Sequence, residues 1–330
     1  MTLKMFKSIN ISFFVLILMG LASCQNSSQK KIIKMAHGMD VSHPVHKAME
    51  YMAHDLDKIS KGLMKLEIYP NQQLGTERQL LELLQIGSLG MTKVSAAVME
   101  NFSPDMKIFG LPFLFRSKEH LFKVLDGPIG KNLLNESEKY RLKGLGYYDS
   151  GSRSFYTKEK PIFNPSDLHG LKIRVMESVT AMNMVKYLGG SPTPISWGEL
   201  YTSLQQGVVD GAENNPPSFY LSRHYEVCKF LTLDEHTSVP DVILIGLHVW
   251  KNLSKIQKQW LQKAVDNSVK HQRLLWLKSE KEALEEVKKA GVTVIIPDKS
   301  GFELKVNDMY KSYINQKNIF SLIKEIKAVE

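Results

Sequence analysis

The stretch from Leu171 to Pro217, LKIRVMESVTAMNMVKYLGGSPTPISWGELYTSLQQGVVDGAENNPP, decides the fold. Lys172–Val175 alternates polar and apolar residues, which is the period of a half-buried strand. Ser178 can cap a helix that ends at a Gly-Gly pair, and Ser196 with Glu199 has the capping-box pattern of a second helix. Short strands follow both helices, so the stretch predicts a βαβαβ unit of an α/β domain.

Three features of this unit can converge on one small acidic ligand. Arg174 lies in the first strand among apolar neighbours, Trp197 begins the second helix, and two amides, Asn214–Asn215, end the last strand. The planar guanidinium of arginine donates two parallel, charge-assisted hydrogen bonds to a carboxylate. On the residues alone, a buried ion pair of Arg174 with Glu177 or Glu213 is an equally good interpretation.

The same pattern continues on both sides of this unit. Ile32–Ala36 and Lys65–Tyr69 are predicted strands, and Thr76 opens a helix with a second capping box. Val239–Val249 is predicted to be a strand that returns to the first domain. Ser254–Ala290 is a helical pattern of some 37 residues. It would be about 55 Å long at 1.5 Å per residue, so we expect it to bridge two α/β domains.

The N-terminus has the pattern of a secretory signal. Lys4 and Lys7 precede an apolar run, 11–21, that is too short to cross a bilayer comfortably. Leu21-Ala22-Ser23-Cys24 is similar to the lipobox of bacterial lipoproteins, which implies cleavage before Cys24 and its lipidation; a plain secretory signal is the alternative. The predicted divisions are a signal peptide at 1–23, a tether at 24–31, a first domain of 32–150 plus 239–279, and a second domain of 151–238 plus 280–330.

Composition is that of a soluble globular protein, with 43% hydrophobic and 23% charged residues. The formal charge is +9, and Lys4 and Lys7 contribute two of these charges. Lys and Arg are spread thinly, so no nucleic acid is expected as a partner, although a basic cleft would attract anionic solutes. Cys228 is the only other cysteine, and it is expected to pack as a small apolar residue without a disulfide partner.

No motif indicates an enzyme. The sequence has no phosphate-binding glycine loop and no G-x-S-x-G elbow. His37, His43 and His46 are close in sequence but have no Cys or Glu at a zinc spacing, so neither a metal nor a cofactor is expected. A secreted lyase or isomerase for acidic sugars remains an alternative that would need a general base or a metal. A chemoreceptor sensor is a third, and it would need a signalling segment.

Residues of roughly 31–315 resemble the DctP-type solute-binding proteins of TRAP (tripartite ATP-independent periplasmic) transporters. The resemblance rests on the unit above, on YPNQQLGTERQLLELLQIGSLG at 69–90 and on ALEEVKKAGVTVIIPD at 283–298. It implies a two-domain periplasmic α/β fold with a ligand cleft between the domains and a long helix across both. It also implies a receptor, not an enzyme, that delivers an organic acid to a small and a large membrane subunit. We therefore expect a periplasmic monomer, anchored to a membrane by lipid on Cys24.

The resemblance also assigns candidate binding residues. Arg174 matches the arginine that pairs with the substrate carboxylate, and Arg153 matches a second basic position. Asn214 matches the amide that hydrogen-bonds the solute, and Glu77 an acidic or polar position that reaches it. The full set of candidate substrate-binding residues is Arg174, Arg153, Asn214, Glu77, Trp197, His37, His236 and Asn215.

Within that family the sequence looks most like the branch that binds the hexuronates D-glucuronate and D-galacturonate. The similarity lies in GSRSFY at 151–156, MES after Arg174 and SVPDV at 238–242. The sialic-acid branch has Pro-Asn in place of Met176-Glu177. A C4-dicarboxylate would need a second cationic contact and fewer hydroxyl partners. Both remain alternative ligands.

Overall fold

The computed structural model describes residues 30–330, so the predicted signal peptide and the lipobox at Cys24 lie outside the described part. The chain forms two separate β-sheets with helices packed on them. The first sheet has the spatial order β2 (Met64–Tyr69), β1 (Lys31–Ala36), β3 (Met91–Ser95), β10 (Asp241–Gly246) and β4 (Leu142–Tyr148). The second has the order β11 (Thr293–Ile295), β9 (Phe230–Thr237), β5 (Arg153–Thr157), β8 (Gly211–Asn214), β6 (Lys172–Val175) and β7 (Ser191–Pro194).

Both sheets are mixed, and this determines which strand ends meet. In the first, β1 pairs in parallel with β2 and β3, whereas β10 runs antiparallel to β3 and β4. In the second, β6 is parallel to β7 and β8, whereas β5 is antiparallel to β8 and β9. The N-terminal ends of β5 and β10 therefore lie at the same edges as the C-terminal ends of β8 and β3.

The helices cover the faces of these sheets. They are α1 (Pro44–Ile59), α2 (Glu77–Gln85), α3 (Ala96–Met99), α4 (Lys118–Asp126), α5 (Pro128–Glu136), α6 (Val179–Tyr187), α7 (Leu200–Gln205), α8 (Pro216–Leu221), α9 (His224–Val227), α10 (Leu247–Lys251), α11 (Lys255–Lys289), α12 (Ser300–Ser312) and α13 (Lys317–Lys327). Thr76 and Ser254 complete capping boxes that begin α2 and α11. No helix within residues 30–330 combines the length and the apolar character that crossing a bilayer requires.

Two local predictions are wrong. Ser196 does not cap a helix: its hydroxyl donates to the Glu199 carboxylate, and the chain first makes a 3-10 turn at Trp197–Glu199. Lys118–Tyr140 has a helical pattern in sequence, which predicts a helix there, but the structure divides this stretch at Gly127-Pro128 into α4, α5 and a short 3-10 turn. Proline has no N–H for the preceding turn, so it begins a new helix instead of continuing one.

Helix α11 joins the two halves of the molecule. It has 35 residues, and at about 1.5 Å per residue it is roughly 52 Å long. It packs against α1 and β4 of the first sheet and against α8, which follows the second sheet. Buried Gln272 accepts from the backbone N–H of Asp149 and donates to its C=O, both at 2.8 Å. The long helix therefore holds the segment between β4 and β5, where the chain passes from one sheet to the other.

The predicted domain boundaries at 150/151, 238/239 and 279/280 remain a prediction. Strand β10 lies in the first sheet, as the sequence pattern indicated for the returning segment. Strand β11 joins one edge of the second sheet, and α12 packs on α6, which contacts β6 and β7 at the other edge. Helix α13 packs on the 3-10 segment Pro104–Gly110 and on α5, although the sequence assigned it to the second domain.

Candidate functional site

A cavity lies between the two sheets, at the edges where the antiparallel strands bring charged residues together. It contains about 610 Å³ of space, part of it open to solvent. Its lining includes Met39, His43, Gln72, Thr76, Glu77, Lys93, Ser95, Val98, Ser150, Arg153, Arg174, Met176, Glu177, Ile195, Ser196, Trp197, Asn214, Asn215, Ser218 and Asp241.

Arg174 is a buried cation that the protein leaves incompletely paired. It lies in β6 and is 2% exposed. Its Nε donates to the Ile195 carbonyl at 2.8 Å, whereas Nη1 is buried without a hydrogen-bond partner. No carboxylate within residues 30–330 forms a salt bridge with it. Burial lowers the pKa of this guanidinium, and the nearby Tyr156, Glu213 and Glu77 offset the lost hydration only in part. From sequence, Arg174 could either bind a ligand carboxylate or form a buried ion pair. The structure does not contain an ion pair of Arg174 with Glu177 or Glu213.

Trp197 forms one wall beside this cation. Its ring centroid lies 6.0 Å from the Arg174 guanidinium carbon and 5.3 Å from the His224 ring. An aromatic face attracts a cation at this distance. Trp197 therefore helps to orient the guanidinium and also gives the cavity an apolar surface.

Arg153 differs from Arg174, because its guanidinium is occupied by the protein. At the start of β5 it forms a double ion pair with Glu213: Nε donates to Oε2, and Nη2 donates to Oε1 at 2.9 Å. Nη2 also donates to the Glu213 carbonyl at 2.7 Å, and Nη1 donates to Asn214 Oδ1 at 2.8 Å. Arg153 lines the cavity, but most of its donors hold the end of β8 in place.

His236 supports this ion pair from behind. It is fully buried, with Nδ1 2.7 Å from Asp234 Oδ2 and Nε2 3.5 Å from Glu213 Oε2. Burial would lower the pKa of His236, but Asp234 and Glu213 outweigh burial and raise this pKa to about 9. Burial would raise the pKa of Glu213, yet Arg153 and His236 lower it to about 2. The predicted ligand residue His236 does not line the cavity, since its ring contacts the acids behind it.

The paired amides at the end of β8 have different contacts. Asn214 lines the cavity, and its Oδ1 accepts from Arg153 and from the backbone N–H of Asn215 at 2.9 Å. Asn215 also lines the cavity, while its Oδ1 accepts from the Ser218 N–H at 2.8 Å and caps α8. The Oδ1 of Asn214 is saturated, so the side chain can reach a ligand through its amide N–H groups.

A second charged group lies across the cavity, on the first sheet. The ammonium of Lys93, in β3, is 3.1 Å from Glu77 Oε1 and 3.2 Å from Asp241 Oδ2. Glu77 Oε2 also accepts from the Ser95 N–H at 3.1 Å. Burial would lower the pKa of Lys93, but the two carboxylates outweigh burial and raise it. These contacts fix Glu77 at the first turn of α2, where its carboxylate lines the cavity.

The histidine that reaches the cavity is His43, whereas the sequence favoured His37. His37 Nδ1 accepts from the Met39 N–H at 3.1 Å, and its Nε2 is 3.0 Å from His46 Nδ1, so it is satisfied behind the wall. His43 Nδ1 accepts from the Val45 N–H at 3.2 Å, which assigns the proton to Nε2. Burial, aided by Lys93, lowers the pKa of His43 to about 3, so the ring is neutral.

Six of the eight predicted binding residues therefore line one cavity, and two do not. Those that line it are Arg174, Arg153, Asn214, Glu77, Trp197 and Asn215. Sequence reasoning missed Lys93 and Asp241. A lysine in the middle of an otherwise uncharged strand, MTKVS, was an available signal of the kind that identified Arg174. Within residues 30–330 no group of three or more His, Cys, Asp or Glu side chains is arranged to hold a metal ion.

Comparison with known proteins identifies the family. The profile of bacterial extracellular solute-binding protein family 7, DctP, matches residues 35–317. The chain belongs to this family. The family predicted from sequence is confirmed, and with it an extracytoplasmic solute-binding role. A curated solute-binding protein of Chromohalobacter salexigens is 32% identical over 88% of this chain and 87% of its own.

Solved structures agree with this assignment and confirm the fold class. A TRAP periplasmic solute-binding protein from Xanthobacter autotrophicus, with bound β-D-galacturonate, is 38% identical and superimposes with a TM-score of 0.87. The alignment covers 90% of this chain and 100% of that one. Another from Chromohalobacter salexigens, with bound D-glucuronate, is 31% identical with a TM-score of 0.88, at 90% and 100% coverage.

Proposed function

We propose that this protein is the extracytoplasmic receptor of a TRAP transporter and that it binds D-glucuronate or D-galacturonate through Arg174. The observation that carries this proposal is the buried guanidinium, whose Nη1 has no hydrogen-bond partner and which pairs with no carboxylate among residues 30–330. A buried cation is costly unless an anion compensates it. The carboxylate of a solute is such an anion, and it accepts the parallel donors that Arg174 offers.

The other charges of the cavity favour a sugar acid over a dicarboxylate. Arg153 is neutralised by Glu213, and Lys93 by Glu77 and Asp241, so neither offers a free cation to a second carboxylate. Glu77 can accept from hydroxyl groups, and neutral His43 can donate to them. Two solved relatives contain hexuronates, which have one carboxylate and several hydroxyl groups.

The proposed mechanism is binding and closure, without a chemical reaction. The solute carboxylate pairs with Arg174 on the second sheet, and the hydroxyl groups contact Glu77 and His43, at the starts of helices α2 and α1 that pack on the first sheet. A ligand that contacts both halves favours the closed arrangement over the open one. The closed receptor would then present its surface to the small and large membrane subunits. D-glucuronate recovered unchanged by NMR after incubation is the expected result, and a product would favour the rival lyase or isomerase.

Titration calorimetry with the purified protein tests the anchor. Arg174→Met should weaken binding of D-glucuronate roughly 30-fold to several thousand-fold, since breaking a desolvated charge pair costs about 2–5 kcal/mol. Arg174→Lys keeps the charge but loses the planar fork, so its effect should be smaller. Arg223→Met is the matched control, because that side chain is 74% exposed and outside the cavity.

The ligand panel separates the alternatives. D-Glucose and D-galactose lack the carboxylate and should bind far more weakly than the acids. An affinity for D-glucose equal to that for D-glucuronate, or an Arg174→Met affinity within about threefold of wild type, would contradict the anchor role. Succinate or sialic acid binding more tightly than both uronates would leave the family assignment intact and refute the hexuronate assignment.

The lipid anchor is proposed from the Leu-Ala-Ser-Cys pattern alone, which lies outside the described residues. A lipidated Cys24 carries more than one acyl chain, and this gives stable membrane attachment. The full-length protein should enter the detergent phase on partitioning, and Cys24→Ala should move it to the aqueous phase. If Cys24→Ala stays in the detergent phase, this cysteine is not the anchor.

A further inference from the structure

The turn between β2 and α2 has an unusual backbone. Asn71 and Gln72 are consecutive non-glycine residues with φ of 53° and 57°, in the left-handed region that glycine favours. Hydrogen bonds hold them there: Asn71 N–H donates to Met39 C=O and Gln72 N–H to His37 C=O, both at 3.1 Å. Gln72 C=O accepts from the Gly75 N–H at 2.9 Å. Such strain persists only where the surroundings fix it, and it is concentrated at functional sites.

This backbone directs the Gln72 side chain across the cleft onto Gly198. A Cβ atom at position 198 would lie 2.4 Å from Gln72 Oε1 and 3.1 Å from its Cδ, so a larger residue there would displace the end of the Gln72 side chain from this position. Gly198 does not have a positive φ, so its backbone alone would accept alanine. Gln72 follows a strand of the first sheet, and Gly198 lies between β7 and α7 of the second half. The contact therefore joins the two halves at the cavity.

The amide nitrogen of Gln72 has no hydrogen-bond partner among the residues that the structure describes. Gln72 lines the cavity beside Trp197, and its Nε2 is buried without a hydrogen bond. A buried donor that is left unpaired destabilises the state that contains it. An oxygen atom of a bound solute is the acceptor that this cavity can supply.

We propose that Gln72 is a solute-binding residue that also latches the cleft. Its side chain seats against Gly198 when the two halves close, and its Nε2 then donates to an oxygen of the solute. This inference rests on the proposed function, since the solute is taken to occupy the same cavity. Closure and recognition are thereby coupled through one side chain, and the absence of a Cβ atom at Gly198 leaves the space that the Gln72 amide occupies.

A double-mutant cycle on the full-length protein in detergent tests the latch, with D-glucuronate and D-galacturonate as probes. Gln72→Ala removes donor and contact and should weaken the preferred uronate about tenfold. Gly198→Ala should weaken it similarly, because its methyl group meets the Gln72 amide. The double variant Gln72→Ala/Gly198→Ala should bind like Gln72→Ala alone, since the new methyl group then meets no side chain.

The controls separate this inference from the function on which it rests. Gln73→Ala, at the exposed next residue of the same turn, should bind like wild type. Gln72→Met keeps the length of the side chain but lacks the donor, so it should also weaken binding; this variant decides the matter if Gly198→Ala does not fold. Additive effects in the cycle, or a Gln72→Met affinity within about twofold of wild type, would refute the latch. Failure of wild type to bind either uronate would instead refute the proposed ligand class.

Discussion

Two buried arginines in one sheet show how a binding group differs from a structural one. Arg153 is matched by Glu213, Asn214 and a backbone carbonyl, so its charge is compensated before any solute arrives. Arg174 has a carbonyl and an aromatic ring, which compensate it only in part. Desolvating a charge costs several kcal/mol unless its partners repay it. The residue that the protein leaves under-compensated is the one that a carboxylate solute can satisfy.

The charge state of His236 gives a pH-dependent test at the same scale. Its pKa is about 9 in the folded protein and 6.5 as the ordinary value, so the folded state holds the proton more tightly. Its contribution to the free energy of unfolding is therefore full below pH 6.5 and is lost as the pH rises through 9. The groups that face it are Asp234 and Glu213, with the ring of Phe155 4.4 Å away.

We expect His236→Gln to lower the melting temperature at pH 6.5 and to flatten its decline between pH 6.5 and 9. The variant leaves Asp234 and Glu213 without the shared cation, and it has no proton to lose. Thermal unfolding of both proteins across this range is the measurement. Curves that decline in parallel for wild type and variant would show that His236 is not the titrating group.

Residue types could be predicted at the site, but their partners could not. Arg174 and Asn214 were recognisable because each lies in a short motif that matches the family. Glu77, Lys93 and Asp241 form one charged group although they are far apart in the chain, and no periodicity links them. His37 and His43 are six residues apart, and backbone contacts determine which of them faces the cavity.

At the scale of the element, capping and periodicity were reliable where the pattern was long. The capping box at Thr76 forms as predicted, and the predicted long helix begins at a capping box on Ser254 and ends one residue before the predicted Ala290. The Ser196 pattern failed, because Glu199 accepts from the serine hydroxyl itself and the first turn is 3-10. The sequence of a capping box is therefore compatible with two local structures.

Strand β3 shows why some strands cannot be predicted from the alternation of polar and apolar residues. Met91–Ser95 was not assigned from sequence, although it supplies Lys93 and Ser95 to the cavity. All five residues are buried, so polar and apolar side chains do not alternate between solvent and core. Strands buried on both faces lack the period-two signal. Strand direction was also hidden, and it is the antiparallel course of β5 and β10 that brings Arg153 and Asp241 to the cleft.

At the scale of the whole molecule, the chain passes between the halves along a few segments that can act as a hinge. The segment after β4 contains Gly151, whose φ is +59° and whose added Cβ would lie 2.8 Å from Glu280 Oε1 and 2.9 Å from Trp276 Nε1. Glu280 and Trp276 both belong to α11, and Gln272 of the same helix forms two hydrogen bonds with the Asp149 backbone. This crossing segment is thus held against the long helix, and we expect it to be the point about which one half rotates against the other.

We expect solute binding to close the cleft about a hinge near Ser150 and Val239. Arg174 lies on one half of the molecule, and Glu77 and His43 lie on the other. A single sugar acid that contacts both halves therefore stabilises the closed state relative to the open one. Small-angle scattering with and without D-glucuronate should show a smaller radius of gyration in the bound state. D-Glucose at the same concentration is the ligand control, and Arg174→Met the matched protein control, and neither should contract. If the wild-type profile stays unchanged at a concentration that calorimetry shows to be saturating, the receptor binds without closing.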